Sequence, residues 1–360
     1  MVDRVYNFSA GPSMLPIEVL NKIESDLYNY KGSGMSVMEM SHRSKLFSEI
    51  LCETKDAIRR VMNVSENYEI LFIQGGATEQ FSAIPLNLIK KGKADYIVTG
   101  SFSSKAAKEA KKFIQVNIAW DGKDNNYSRL PLEDELNISN DSDYIYFCMN
   151  NTAYGSEWKY IPKTDKPLVC DMSSVILAKE VDVNDFGMIF AGAQKNMGIS
   201  GIAIVIIRKD LLDTNLENNI PILMNYKKQA ENDSMSNTPS TFAIYVCGEV
   251  VKWVEHNGGV KAMVERNKKK AELLYEVLDN SSFYTPYVDR SCRSNTNVTF
   301  KTPSPELDAE FIKQAKENGM ENLKGYKDIG GIRASIYNAM PIEGVEKLVA
   351  FMKEFEKENI

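Results

Sequence analysis

Histidine is nearly missing from this sequence: only His42 and His256 occur, so a multi-histidine metal site is not expected. Cysteine is sparse, unpaired and odd in number, at positions 52, 148, 170, 247 and 292. No CxxC pair occurs, which argues against both a disulfide framework and a cysteine-held zinc, and predicts a reducing, cytoplasmic setting. There is no basic surplus: the formal net charge is −6. Nucleic acid and anionic membrane surfaces are thereby disfavoured as main partners, although a few local arginines would still bind a small anion. Long apolar runs are absent too. The longest, Ile199 to Ile207, is broken by Ser200 and Gly201 and is too short to span a bilayer. The opening Met1-Val2-Asp3-Arg4-Val5-Tyr6-Asn7 has no apolar leader core. No GxSxG, Walker loop or GxGxxG appears, so a serine hydrolase and a nucleotide-binding enzyme both lack their signatures.

What is present describes a folded chain of 360 residues, 43% apolar and 26% charged, long enough for about two domains. Apolar residues recur near helical spacing over 45–62. Glu69 to Ile73 reads as a strand ending at Gly75-Gly76, with a helix following from Thr78. Tyr96 to Val98 is a further strand, followed by a helix from about Ser103 to Lys112. Short apolar runs at Tyr144–Cys148, Leu168–Cys170, Met188–Ala191 and Ile202–Ile207 suit strands covered on both faces of a largely parallel sheet. Helices are predicted over Thr241–His256, about 260–278, and about Ile342 to Glu356. The expected architecture is a large α/β domain over 16–263. A smaller α+β domain comprises 1–15 and 264–360.

Several short segments could carry chemistry. In Ala191-Gly192-Ala193-Gln194-Lys195-Asn196 a lysine follows an apolar strand and a small-residue turn, at the strand end where open α/β sheets place ligands. Desolvation there would favour a neutral, nucleophilic amine; a surface-loop lysine is the plainer alternative. In Val169-Cys170-Asp171-Met172 a carboxylate ends another such strand. It either caps a turn or faces Lys195, where it could keep a pyridine nitrogen protonated. Gln74-Gly75-Gly76-Ala77-Thr78-Glu79 is a strand, a glycine turn and a helix start, a geometry that binds phosphate but also serves as an ordinary βα turn. His42-Arg43 sits just before a helix, and Arg333 follows a glycine pair in a strand-like segment. Each arginine suits a bidentate oxyanion, or an internal ion pair.

Together these stretches resemble the phosphoserine aminotransferase family of class-V, fold-type I pyridoxal-phosphate enzymes. The likeness is carried by Asn7-Phe8-Ser9-Ala10-Gly11-Pro12, Ser36 through Arg43, Asp171 through Ser174, Ala191 through Asn196, Ser234 through Phe242 and Gly331 through Pro341. The resemblance implies pyridoxal 5′-phosphate as cofactor, with Lys195 as its covalent holder and Asp171 at the pyridine nitrogen. Phe102 would stack on the ring, where the family usually has tryptophan, and Thr152 would touch its substituents. Gln194 and the Gly76-Ala77-Thr78 turn would bind the cofactor phosphate. Asn237 and Thr238 would reach it from a neighbouring subunit, implying a homodimer. Arg333 would take the substrate α-carboxylate, and His42 with Arg43 the distal phosphate or carboxylate.

The implied reaction passes an amino group from glutamate to 3-phosphohydroxypyruvate, giving phosphoserine and 2-oxoglutarate. A related role on a phosphorylated hydroxythreonine precursor of the cofactor is also implied. Two departures remove positive charge: Thr78 stands where many members have arginine, and Tyr326-Lys327 where many have His-Arg. The alternatives are another enzyme of the class, such as an alanine–glyoxylate aminotransferase, or a cysteine desulfurase using Cys292. A dinucleotide oxidoreductase and a non-enzymatic binding module are further rivals.

Overall fold

The computed structural model describes residues 4–213 and 219–360. Met1–Asp3 of the N-terminal reading, and residues 214–218 of the expected large domain, lie outside the described residues.

The chain begins with β1 (Tyr6–Asn7) and helices α1 (Ile17–Asp26) and α2 (Lys45–Met62). It continues through β2 (Tyr68–Gly75), α3 (Ala77–Leu88), β3 (Lys93–Val98), α4 (Ser101–Ala110) and β4 (Gln115–Asp121). Next come β5 (Ile145–Cys148), a small ribbon of β6 (Asn150–Asn151) and β7 (Ser156–Glu157), then β8 (Leu168–Asp171), β9 (Met188–Gly192) and β10 (Gly201–Arg208). Helices α5 (Tyr226–Glu231), α6 (Thr241–His256) and α7 (Gly259–Asn280) follow. The chain closes with β11 (Thr285–Pro286), β12 (Asn297–Lys301), α8 (Pro305–Glu317), β13 (Met320–Glu321), β14 (Ile332–Ser335) and α9 (Ile342–Asn359).

The main sheet has the order β2-β10-β9-β8-β5-β3-β4. Every pairing is parallel except those made by β10, which runs antiparallel to both β2 and β9. Alternate residues of its strands serve different cores. Ile70, Phe72, Phe147, Cys170, Ile189 and Ile204 face a layer built on α2 and α6. Leu71, Tyr96, Tyr146, Val169, Phe190 and Val205 face a layer built on α3, α4 and α5. Burial on both faces explains why these strands read as unbroken apolar runs. A second sheet, β11-β12-β14, is antiparallel and packs with α7, α8 and α9 around Phe283, Tyr284, Phe300, Phe311 and Phe355. β1 pairs in parallel with β13, tying the chain's start to this end of the molecule.

The expected fold class is therefore the observed one. Helix α4 starts at Ser101 rather than Ser103, because the Ser103 hydroxyl accepts from the amides of Thr99 and Gly100 inside the first turn. Strand β4, at the sheet edge, is not among the expected elements, although Val116, Ile118 and Trp120 recur at a spacing of two. Among the described residues no helix is long and apolar enough to cross a membrane.

The two cores are joined by a polar bolt. Lys270, buried on α7, donates to the carbonyls of Ile336 (2.9 Å), Tyr337 (2.7 Å) and Met340 (2.9 Å). Asn267, one turn earlier, donates to Asn338, whose amide donates in turn to the Asn196 side chain. This chain of contacts runs from α7 to the residue next to Lys195. Replacing Lys270 by methionine leaves three carbonyls without their donor. It should lower unfolding stability by about 2 kcal/mol or more. The shift in urea midpoint, followed by circular dichroism, measures it.

Candidate active site

The carboxyl ends of the parallel strands converge on one cavity of about 520 Å³. Its wall is supplied by Gly75 and Gly76 after β2, Phe102 after β3, and Cys148, Asn150 and Thr152 at and after β5. Asp171 ends β8, and Gln194 and Lys195 follow β9. Tyr326 and Arg333 close it from the smaller domain. This is the position at which α/β sheets collect ligands, since each strand ends where its loop begins and polar side chains can turn inward.

Lys195 and Asp171 are the charged pair at its floor. Strands β8 and β9 are adjacent and parallel, with Asp171 in register with Phe190. The Asp171 carboxylate is buried and accepts from the Ser173 amide at 2.9 Å. Burial pushes its pKa up, and the nearby Lys195 charge opposes the rise. Lys195 is the mirror case: burial lowers its pKa and Asp171 opposes the fall. Its Nζ donates to the Thr152 hydroxyl at 2.6 Å and sits 5.6 Å from the centre of the Phe102 ring.

The amino-terminal segment straps this lysine in place. The Ser13 amide donates to the Gln194 carbonyl at 3.0 Å, and the Ser13 hydroxyl donates to the Lys195 carbonyl. Gly11 lies so close that a Cβ there would be 3.3 Å from the Lys195 Cγ. With φ of +135° at this position as well, a side chain is disfavoured twice over.

Two features of the cavity are built for anions. Helix α3 starts at Gly76 without a side-chain cap, so the amides of its first turn face the cavity, alongside Ala77 and Thr78. Arg333, on β14, presents a buried Nε with no hydrogen-bond partner, and among the described residues it has no carboxylate ion pair. Burial lowers its pKa. A buried guanidinium N–H without an acceptor beside a cavity is costly unless a ligand supplies one. These groups fit pyridoxal phosphate: an amine with a carboxylate nearby, an aromatic wall, and an open helix start for phosphate.

Of the residues singled out from sequence, Gly76, Ala77, Thr78, Phe102, Thr152, Asp171, Gln194, Lys195 and Arg333 all line the cavity. His42, Arg43, Asn237 and Thr238 do not. His42 and Arg43 precede α2, with Arg43 exposed. Asn237 and Thr238 are exposed beside the glycine turn, where the Gln74 side chain donates to both residues at 3.1 and 2.6 Å. Cys292 lies outside the cavity as well, in a small apolar cluster with Ala153, Tyr154 and Val288.

Sequence reasoning missed a buried polar network that supports the floor. Asn150 donates to Ser174 and to Asn297, both at 2.8 Å. Asn297 donates to Ser335 and to the Tyr337 hydroxyl, which donates to the Ala10 carbonyl. Asn150 and Tyr337 stand inside recognisable stretches, but nothing in their spacing marks them as partners. Glu79 was also missed. Its carboxylate folds back over Gly75, where a Cβ would lie 1.9 Å from it, and burial raises its pKa.

A family model described as aminotransferase class-V matches residues 5–348. The chain is 49% identical over 360 residues to phosphoserine aminotransferase of Bacillus cereus (strain ATCC 10987 / NRS 248), covering 99% of this chain and 100% of that protein. The solved phosphoserine aminotransferase from Bacillus circulans subsp. alkalophilus superposes with a TM-score of 0.97 at 41% identity, over 99% of both chains. The pyridoxal-phosphate-bound phosphoserine aminotransferase from Trichomonas vaginalis does so with a TM-score of 0.94 at 40% identity, over 97% of this chain and 100% of that one.

The electrostatics of the floor can be measured directly. On protein freed of small molecules, Lys195 should be labelled by an amine-directed reagent with a half-point below the ordinary lysine value, because burial favours its neutral form. Asp171→Asn removes the charge that holds the amine's pKa up, so the half-point should move to still lower pH. Peptide mapping across a pH series reads this; an unchanged or rising half-point contradicts the coupling.

Proposed function

The chain belongs to the class-V aminotransferase family, among the phosphoserine aminotransferases, and on that premise we propose how its own residues perform the reaction. It is an enzyme that transfers an amino group reversibly between glutamate and 3-phosphohydroxypyruvate, giving phosphoserine and 2-oxoglutarate, with pyridoxal phosphate as cofactor. All four substrates and products are small molecules, and the reaction belongs to serine biosynthesis. The observation that carries the residue assignment is the half-buried Arg333, whose buried Nε has no hydrogen-bond partner, lining the same cavity as the Lys195–Asp171 pair.

When bound, pyridoxal phosphate supplies an electron-poor ring that accepts the electron pair released when a substrate α-carbon loses its proton. Lys195 would hold it, and the same amine, its pKa lowered by burial, would remove and return the α-carbon proton once released; such positioned transfer typically contributes about 10²–10⁴-fold. Asp171 keeps the pyridine nitrogen positive. Phe102 stacks on the ring and Thr152, already bonded to Lys195, orients the amine. Gly76, Ala77, Thr78 and Gln194 hold the cofactor phosphate. Arg333 binds the substrate α-carboxylate through its planar fork.

His42 and Arg43 receive the distal anion, and Asn237 and Thr238 complete the cofactor-phosphate site from a second copy. The exposure of Asn237 and Thr238 and their position outside the cavity of a single chain support a homodimer with shared sites. Residues 16–263 form the large domain, and 1–15 with 264–360 the small one. Helix α7 supports that division, giving Met263 to the large core and Ala271 to the small one. The five free cysteines support a cytoplasmic setting.

A coupled assay with phosphoserine and 2-oxoglutarate, with plain serine as control, tests the activity; turnover of serine at the same rate contradicts it. Lys195→Ala should lose the visible absorbance of the bound cofactor and at least about 10²-fold in turnover. Borohydride reduction of wild-type protein should label Lys195 alone. Arg43→Ala should weaken phosphoserine and glutamate about ten-fold, as one lost charge-assisted contact implies, and alanine much less. Equal losses for all three amino donors contradict the distal role.

A further inference from the structure

We propose that Lys105, working with the Tyr326 hydroxyl, reads the substrate's distal phosphate at the cavity mouth and sets the preference for a phosphorylated over a carboxylated side chain. The inference rests on the functional reading above and adds a specificity determinant to it.

Lys105 lies one turn beyond Phe102 on α4 and is exposed. Its ammonium is 5.3 Å from the centre of the Phe102 ring and 6.0 Å from that of Tyr326, and it donates to the Tyr326 hydroxyl at 3.3 Å. Those two rings, 6.4 Å apart, line the cavity. The Phe102 ring thus has Lys195 within 5.6 Å and Lys105 within 5.3 Å. Attraction of a cation to ring faces keeps the Lys105 amine at the mouth instead of free in solvent. Among the described residues Lys105 has no carboxylate partner, so its charge is available.

The charge balance shows why another cation is needed. The lining contains two cations, Lys195 and Arg333, against two carboxylates, Asp171 and Glu79. The lining itself thus has no surplus for a substrate whose phosphate carries about −1.5 to −2, and Arg43, placed at the distal anion above, offsets only one of those charges. Shape then separates the two substrates. An arginine fork takes up both oxygens of a carboxylate, whereas a phosphate still presents a third, which suits a compact ammonium. Tyr326 accepts from Lys105, which leaves its own hydroxyl proton free to donate to that oxygen.

The test uses the holoenzyme and its Lys105→Met and Lys105→Arg variants, in single-turnover reactions with phosphoserine and with glutamate. Lys105→Met should lower the phosphoserine-to-glutamate ratio of kcat/KM about ten-fold, through KM for phosphoserine, and Lys105→Arg should restore most of it. Inorganic phosphate, titrated as a competitor of glutamate, should bind the Met variant more weakly by a similar factor. A ratio within about two-fold of wild type, or equal losses for both amino donors, overturns the role of Lys105 while the functional reading stands. Wild-type protein inert toward phosphoserine overturns both.

Discussion

An amine and a carboxylate share one water-poor slot at the ends of adjacent parallel strands, and each resists its charge while the other invites it. Burial disfavours the charged form of both Lys195 and Asp171; their mutual attraction opposes that in each. That balance is sensitive to distance, so everything around it serves to fix positions. Strand pairing sets the backbone, Ser173 holds the carboxylate, and Thr152 holds the amine. Even the remote Lys270 acts on this pair, because the loop it anchors places Asn338 against Asn196.

The surroundings divide labour by element. The sheet supplies the reactive pair, helix α3 offers uncapped amides, and the smaller domain brings a guanidinium that has no partner of its own. A group left unsatisfied inside a protein costs stability, commonly about 1–3 kcal/mol. Its retention at Arg333 is intelligible if the missing acceptor arrives with the substrate. Glu79, by contrast, brings negative charge to the anion turn, which makes recognition at the mouth depend more heavily on cations supplied from outside the lining.

Much of this was readable before any coordinates. Asp171 and Lys195 stood out because two buried strands each end in a charged residue, and a strand's end is a fixed address in a parallel sheet. The glycine turn was readable for the same reason. Arg333 followed a glycine pair in a segment with strand-like spacing. The polar network of Asn150, Asn297 and Tyr337 was not readable, since hydrogen bonds between residues far apart in sequence leave no periodic trace. Lys105 sat in what looks like the solvent face of an ordinary helix. His42, Arg43, Asn237 and Thr238 were singled out through resemblance alone, and a single chain gives them no place in the cavity.

The strap over Lys195 has a temporal consequence. Ser13 meets a residue 182 positions downstream, and the Ala10 carbonyl meets a hydroxyl 327 positions away. Contacts of such sequence separation form late, because the chain entropy of closing them must be overcome first. During synthesis the leading segment can therefore not close both contacts until almost the entire polypeptide has emerged. Competence to react is then among the last properties the molecule acquires, and a chain cut short before Tyr337 would leave the lysine's clasp without one of its two fastenings.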